Sequence, residues 1–249
     1  MADSSQHILI GGITGGIGSA LAKRLLESGH KVSGFARDSK KLEAFATEHP
    51  EAQVFSTDAH DLDAVQGVVE AATEVAPLDG YAHAIGSILL KPLAGLKVEE
   101  FEQTMQLNLV TAFKALKAVT PALQKAKGAA VFFSTVAART GLANHEAIAA
   151  AKAGVEGMVR SAAASLALRG VRINAVAPGM TETPLAEPLL KSDAARKASE
   201  TMHPLGRVGE AHEVASLAAW LLSQDATWVT GQVMSVDGGL STVTPRPRT

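Results

Sequence analysis

Cysteine is absent from the 249-residue chain, which removes disulfides, thiolate nucleophiles and cysteine-based metal sites from consideration. Tyrosine is nearly absent: Tyr81 is the only one, so chemistry that needs a phenolic proton must find it there or do without. Aromatic residues make up 4% of the chain, while alanine and glycine are abundant, a composition suited to helices packed closely on a sheet. An excess of one charge is also missing. The 23 basic and 25 acidic residues are interspersed and leave a formal net charge of -2, which gives no electrostatic footprint for nucleic acid or an anionic membrane surface. No run approaches the roughly 20 uninterrupted apolar residues of a membrane-spanning helix. The opening "MADSSQHILIGG" sets an acid and polar residues ahead of a short apolar run that glycines end, unlike a signal peptide. The expectation is a cytoplasmic protein with small-molecule partners, no nucleic acid, no membrane and no metal; His7, His30 and His203 show no ligand clustering.

What is present is a regular alternation. Short apolar runs such as "HILIGG", "KVSGFA", "AQVFS", "LDGYAHAI", "GAAVFFST", "VRINAVAPG" and "GQVMSV" are separated by longer segments of helical period, among them "GSALAKRLLESG" and "HEAIAAAKAGVEGMVRSAAASLALRG". A single helix is expected around "VEEFEQTMQLNLVTAFKALKAV". Repeated β-α units predict an α/β fold, a three-layer α/β/α sandwich around a parallel seven-stranded sheet. No linker or repeat divides residues 1–249, so one domain is expected. The one long departure, at about 180–207, carries three prolines and reads as a lid over a cleft. The tail at about 243–249 reads as flexible.

After the first apolar run comes "GGITGGIG", in which Gly12, Gly16 and Gly18 lead into a helix. Glycine at these positions permits a tight turn and a close backbone approach to a pyrophosphate, whose charge then faces the N–H groups of the helix start. With this turn the chain resembles the short-chain dehydrogenase/reductase family, whose fold is Rossmann-type, although Gly11 stands where the family usually has threonine. The resemblance extends along nearly the whole chain: "NLVTAF" around Asn108, "AAAKAG" around Lys152, "RINAVAPGMTETPL" from Arg172, "PLGRVGEAHEVA" from Pro204 and "VTGQVMSVDGG" from Val229.

The resemblance implies a nicotinamide cofactor held by Gly12, Thr14, Gly16, Ile17 and Gly18, by Asp58 beside the adenine, and by Gly86, Lys152, Pro178, Gly179 and Thr183. NAD-preferring members carry an acid at the end of the second strand. Here that position is Ala36, followed by Arg37, which suits a 2′-phosphate. NADP(H) is therefore expected over NAD(H). A homo-oligomer, tetramer or dimer, also follows from the resemblance.

Family members reduce carbonyls with a serine, a Tyr-x-x-x-Lys pair and an asparagine. Alignment on Lys152 puts Thr135, with Ser134 adjacent, at the serine, Asn108 at the asparagine and Ile148 at the tyrosine. The related enoyl-acyl carrier protein reductases space the pair as Tyr-x-x-x-x-x-x-Lys, which puts His145 at the tyrosine, and "DGYAHAIGSI" looks like their fourth strand. A neutral imidazole N–H at His145 could stabilise an enolate oxygen; alternatively, Asn144 is the N-cap and His145 is merely a polar first-turn residue. His83 is read as a hydrogen-bonded wall residue. Two functions stay open: an NADPH-dependent oxidoreductase of small carbonyls or activated alkenes using Asn108, Thr135, His145 and Lys152, and a redox-inactive nucleotide-binding homologue acting as sensor, scaffold or oligomer partner.

Overall fold

Alternate side chains of the first strand, β1 (His7–Gly11), enter different cores, as the period of two in a strand requires. Ile8 and Ile10 pack with Leu21, Leu25, Val131 and Leu221 on one face. Leu9 packs with Val65, Tyr81, Leu123, Phe132 and Val159 on the other. A strand buried on both faces belongs in a parallel sheet covered by helices on each side. The computed structural model, which describes residues 5–244, shows that architecture.

The elements run β1, α1 (Gly16–Glu27), β2 (Lys31–Ala36), α2 (Ser39–Glu48), β3 (Gln53–Ser56), α3 (Leu62–Val75), β4 (Gly80–His83), α4 (Val98–Met105), α5 (Thr111–Ala126), β5 (Ala129–Phe133), α6 (Glu146–Leu166), β6 (Arg172–Pro178), β7 (Thr181–Glu182), α7 (Asp193–Met202), β8 (Gly209–Glu210), α8 (Ala211–Leu222) and β9 (Val233–Val236). Seven strands form one parallel sheet in the order β3-β2-β1-β4-β5-β6-β9, while β7 and β8 pair only with each other. The chain leaves β1 in one direction for β2 and β3 and returns to its other side for β4. A crevice therefore opens at the carboxyl ends of β1 and β4, where ligands bind in open α/β sheets.

The structure corrects two expectations and adds detail to a third segment. The single helix expected around residues 98–119 is α4, a π turn at Gln106–Val110, and α5, so one extra residue per turn is accommodated at Asn108. The N-cap of α6 is His145, not Asn144, which instead takes a left-handed conformation with φ 66°. The excursion at 180–207 is ordered by β7, a 3-10 turn at Glu187–Leu189 and α7, which Ser192 caps by accepting the Ala195 N–H at 3.2 Å. Of the tail expected to be flexible, residues 245–249 lie outside the described residues. No helix among those described is long and apolar enough to cross a membrane.

Candidate active site

Three glycines build the turn between β1 and α1 by leaving out a Cβ. Gly12 adopts φ +82°, and a Cβ there would lie 2.7 Å from the Ala84 carbonyl oxygen; at Gly18 it would lie 2.2 Å from that of Gly12. At Gly16 a Cβ would meet Thr183 Cγ2 at 2.7 Å. The turn closes with the Gly15 N–H donating to the Gly12 oxygen at 2.9 Å. Helix α1 then starts with no side-chain cap and no acid in its first turn. Its leading N–H groups are thus available to an anion. Thr14 sits half-buried in this turn.

Just past the ends of β2 and β3, Arg37 and Asp58 are exposed. Ala36 closes β2 without an acid, and Arg37 follows with no ion pair or side-chain hydrogen bond among the described residues. Asp38 is spent as the cap of α2, accepting the Lys41 N–H at 3.1 Å. Asp58 accepts from the His60 N–H at 2.9 Å and contacts the His60 Nδ1 at the same distance. That backbone hydrogen bond, more than the nearby Arg37 charge, holds the Asp58 carboxyl below its ordinary value.

The crevice opens into a cleft of about 450 Å³ lined by Ile17, Gly86, Asn108, Thr135, His145, Ile148, Lys152, Pro178, Gly179 and Thr183, with the excursion on one side. Asn108 holds its floor. Its Oδ1 accepts the Ser87 N–H at 3.0 Å, while its Nδ2 donates to Ser87 Oγ and to the Thr104 carbonyl, each at 3.0 Å. Gly86 is forced beside it: an added Cβ would sit 2.6 Å from Asn108 Oδ1 and 3.3 Å from Lys152 Nζ. Lys152 is 8% exposed and has no side-chain hydrogen bond or ion pair among the described residues, and desolvation lowers its pKa to about 8.

The hydroxyls beside it are not equivalent. Ser134 is buried and donates to Glu156 Oε1 at 2.9 Å, while Arg139 Nε donates to the other carboxylate oxygen at 2.8 Å. Thr135 faces the cleft, its oxygen accepting the Ala137 N–H at 3.3 Å. On the excursion, His203 is held at both nitrogens: Nδ1–H donates to the Ser199 carbonyl at 2.6 Å, and Nε2 accepts the Met180 N–H at 3.1 Å.

A family model described as enoyl-(acyl carrier protein) reductase matches residues 12–241 of the chain. Levodione reductase of Leifsonia aquatica is 35% identical over alignments covering 96% of this chain and 95% of that protein. The 2,5-dichloro-2,5-cyclohexadiene-1,4-diol dehydrogenase of Sphingobium indicum is 32% identical, with 96% and 98% covered. The chain belongs to the short-chain dehydrogenase/reductase family of oxidoreductases. A solved structure of an actinorhodin polyketide ketoreductase variant with NADPH superposes with a TM-score of 0.91 at 28% identity, covering 96% of this chain and 98% of that one.

Within this family, the residue at the expected tyrosine position is Ile148, 4% exposed and facing the cleft. Tyr81 does not replace it. It is fully buried and 2.7 Å from Nδ1 of His83, whose Nε2 lies 3.3 Å from Thr111 Oγ1. The Thr111 hydroxyl donates to the Leu107 carbonyl at 2.6 Å, so the ring donates from Nε2 and accepts the phenol proton at Nδ1. Desolvation, with the Lys152 charge second, pushes the His83 pKa down to about 3. His83 is thus a core residue and not a wall of the cleft.

Sequence reasoning passed over Ser87, Glu156 and the bonded role of His203. Ser87 had a signal, since it adjoins Gly86 in "AIGSI". Glu156 also had one, because it lies four residues after Lys152 on α6 and so on nearly the same helix face. No group of three or more His, Cys, Asp or Glu able to hold a metal occurs among the described residues.

Proposed function

We propose that the protein is an NADPH-dependent oxidoreductase of small carbonyl or activated-alkene substrates. The observation that carries the reading is Lys152: a buried ammonium with no protein partner among the described residues, facing a cleft beside Gly86 and Asn108. A diol-bearing ribose is a fitting partner for such a donor, and the glycine turn offers a cradle for the linked pyrophosphate. The cofactor would supply the hydride. Gly12, Gly16 and Gly18 would leave room for its phosphates, Lys152 would hold the ribose, and Thr135 would hydrogen-bond the substrate oxygen. The absence of an acid at Ala36, together with the unpaired Arg37, supports a 2′-phosphate. The NADPH-bound ketoreductase at 28% identity points the same way.

The test is titration with NADPH and NADH, followed by turnover against a panel of ketones, quinones and enoyl thioesters read by the absorbance of reduced nicotinamide. Tighter NADPH binding and consumption with at least one substrate class are expected. Equal dissociation constants would refute the cofactor preference. Tight NADPH binding with silence across the panel in both directions would replace this reading with a redox-inactive nucleotide-binding protein, which the loss of the tyrosine at position 148 would then explain.

A further inference from the structure

We infer that His145 is the proton-accepting base of the cleft and that the molecule it serves is a neutral, apolar alcohol. The inference rests on the oxidoreductase reading above and reverses the role expected for this residue from sequence. His145 Nδ1 lies 2.8 Å from the Ala143 carbonyl oxygen. A carbonyl oxygen only accepts, so Nδ1 carries the proton of the neutral ring and Nε2 carries a lone pair. Nε2 has no protein partner among the described residues, and His145 lines the cleft. A neutral ring in this tautomer cannot donate to an enolate oxygen. It can take a proton from a hydroxyl.

The other polar groups of the cleft do not compete for that task. Ser134 is committed to Glu156, Asn108 to Ser87 and Thr104, and His203 to Ser199 and Met180. Lys152 is the remaining titratable group of the lining, on the side of Gly86. Thr135 uses its oxygen as an acceptor at Ala137, which leaves its proton to point at the substrate oxygen. The apolar lining includes Ile88, Leu90, Leu142, Leu185, Leu189 and Met202, and no carboxylate or guanidinium lines the cleft among the described residues. With Lys152 engaged by the ribose, a carboxylate, phosphate or ammonium on the substrate would be desolvated there without a partner.

The step balances with an oxidised nicotinamide dinucleotide as acceptor. The O–H bond of the alcohol breaks and its proton goes to His145 Nε2. The C–H bond of the same carbon breaks and its electron pair leaves with the hydride, so the C–O bond becomes a carbonyl. The imidazolium then releases its proton to solvent through the half-exposed side of the residue. In reverse, the imidazolium protonates the oxygen of the reduced carbonyl.

The tautomer, the kinetics of a variant and the substrate range each test the proposal. Nitrogen-15 shifts of histidine-labelled, cofactor-free protein should show His145 protonated at Nδ1 and bare at Nε2, and the opposite tautomer would overturn the assignment. His145→Gln keeps a polar side chain but cannot carry the proton, so kcat for oxidation of a cyclic alcohol should fall by about 100-fold or more. Its NADP+ dissociation constant should stay within about twofold, which also shows that the variant folds. Undiminished turnover in His145→Gln overturns the role of the histidine while leaving the oxidoreductase reading intact. Equal turnover of apolar and carboxylate-bearing alcohols by the unaltered protein overturns the substrate class. No turnover of any alcohol or carbonyl by the unaltered protein, despite NADP+ binding, removes both readings together.

Discussion

An ammonium buried without a counter-charge is unfavourable for folding, and Lys152 is such a group. Desolvation brings its pKa from an ordinary 10.5 to about 8. The folded pKa lies below the unfolded one, so between those values the unfolded chain binds more protons and stability rises with pH. Below about pH 8 both states are protonated and the folded state carries the full burden. Lys152→Met should therefore raise the unfolding free energy at pH 7, by up to roughly 3 kcal/mol at about 1.4 kcal/mol per pKa unit, and flatten the rise between pH 8 and 10.5. NADPH affinity should fall in the same variant. Urea unfolding at pH 7 and at pH 9.5 checks both statements; a variant less stable at pH 7 would mean that the ammonium has a stabilising partner in the fold. At this scale the sequence was readable in kind but not in state. The AAAK stretch identified Lys152 and its spacing identified His145, yet the tautomer of His145 depends on the Ala143 carbonyl, whose direction is set by the left-handed Asn144. Gly11, at the usual threonine, also has its reason only in space: a Cβ there would lie 2.8 Å from the Tyr81 hydroxyl and 2.9 Å from Phe35 Cζ.

Among the elements, the π turn between α4 and α5 does the most for the cleft. A π turn takes an extra residue and disturbs the regular carbonyl ladder, and Asn108 Nδ2 takes up the Thr104 carbonyl. The same side chain holds the backbone of Ser87, and with it Gly86, against Lys152. Asn108→Ala would leave the Thr104 carbonyl and the Ser87 N–H without that partner, at about 1–3 kcal/mol for each unsatisfied buried group. The expected result is a lower melting temperature together with weaker NADPH binding. A variant that loses stability while keeping its NADPH affinity would confine Asn108 to a packing role. Hydrophobic periodicity cannot show such a turn, because one inserted residue rotates the following stripe by about 100° and the eye joins the two halves. Helix α7, within the segment read as a lid, also had a local signal. Ser192 followed by "DAARKASETM" is a capping residue ahead of good helix formers.

At the scale of the molecule, the parallel seven-stranded sheet was legible because repeated β-α alternation requires crossovers between parallel strands. The cleft was not, because its lining comes from loops after β4, β5 and β6, from α1, the π turn and α6, and from the excursion, segments far apart in sequence. A dinucleotide lying across those loops would join them, and a ligand that binds only the folded chain raises its stability with concentration, by about 2.7 kcal/mol at 100 times its dissociation constant. The measure of specificity is then global although its cause is local. Arg37 is exposed and unpaired beside Asp58, so a 2′-phosphate there gains a bidentate partner that a 2′-hydroxyl does not need. NADPH should raise the melting temperature more than NADH at equal concentration, and Arg37→Ala should shrink the NADPH shift towards that of NADH while leaving the NADH shift unchanged. If Arg37→Ala weakened both cofactors equally, the arginine would be acting on the part they share, and the preference would have to arise from the backbone around Ala36 instead.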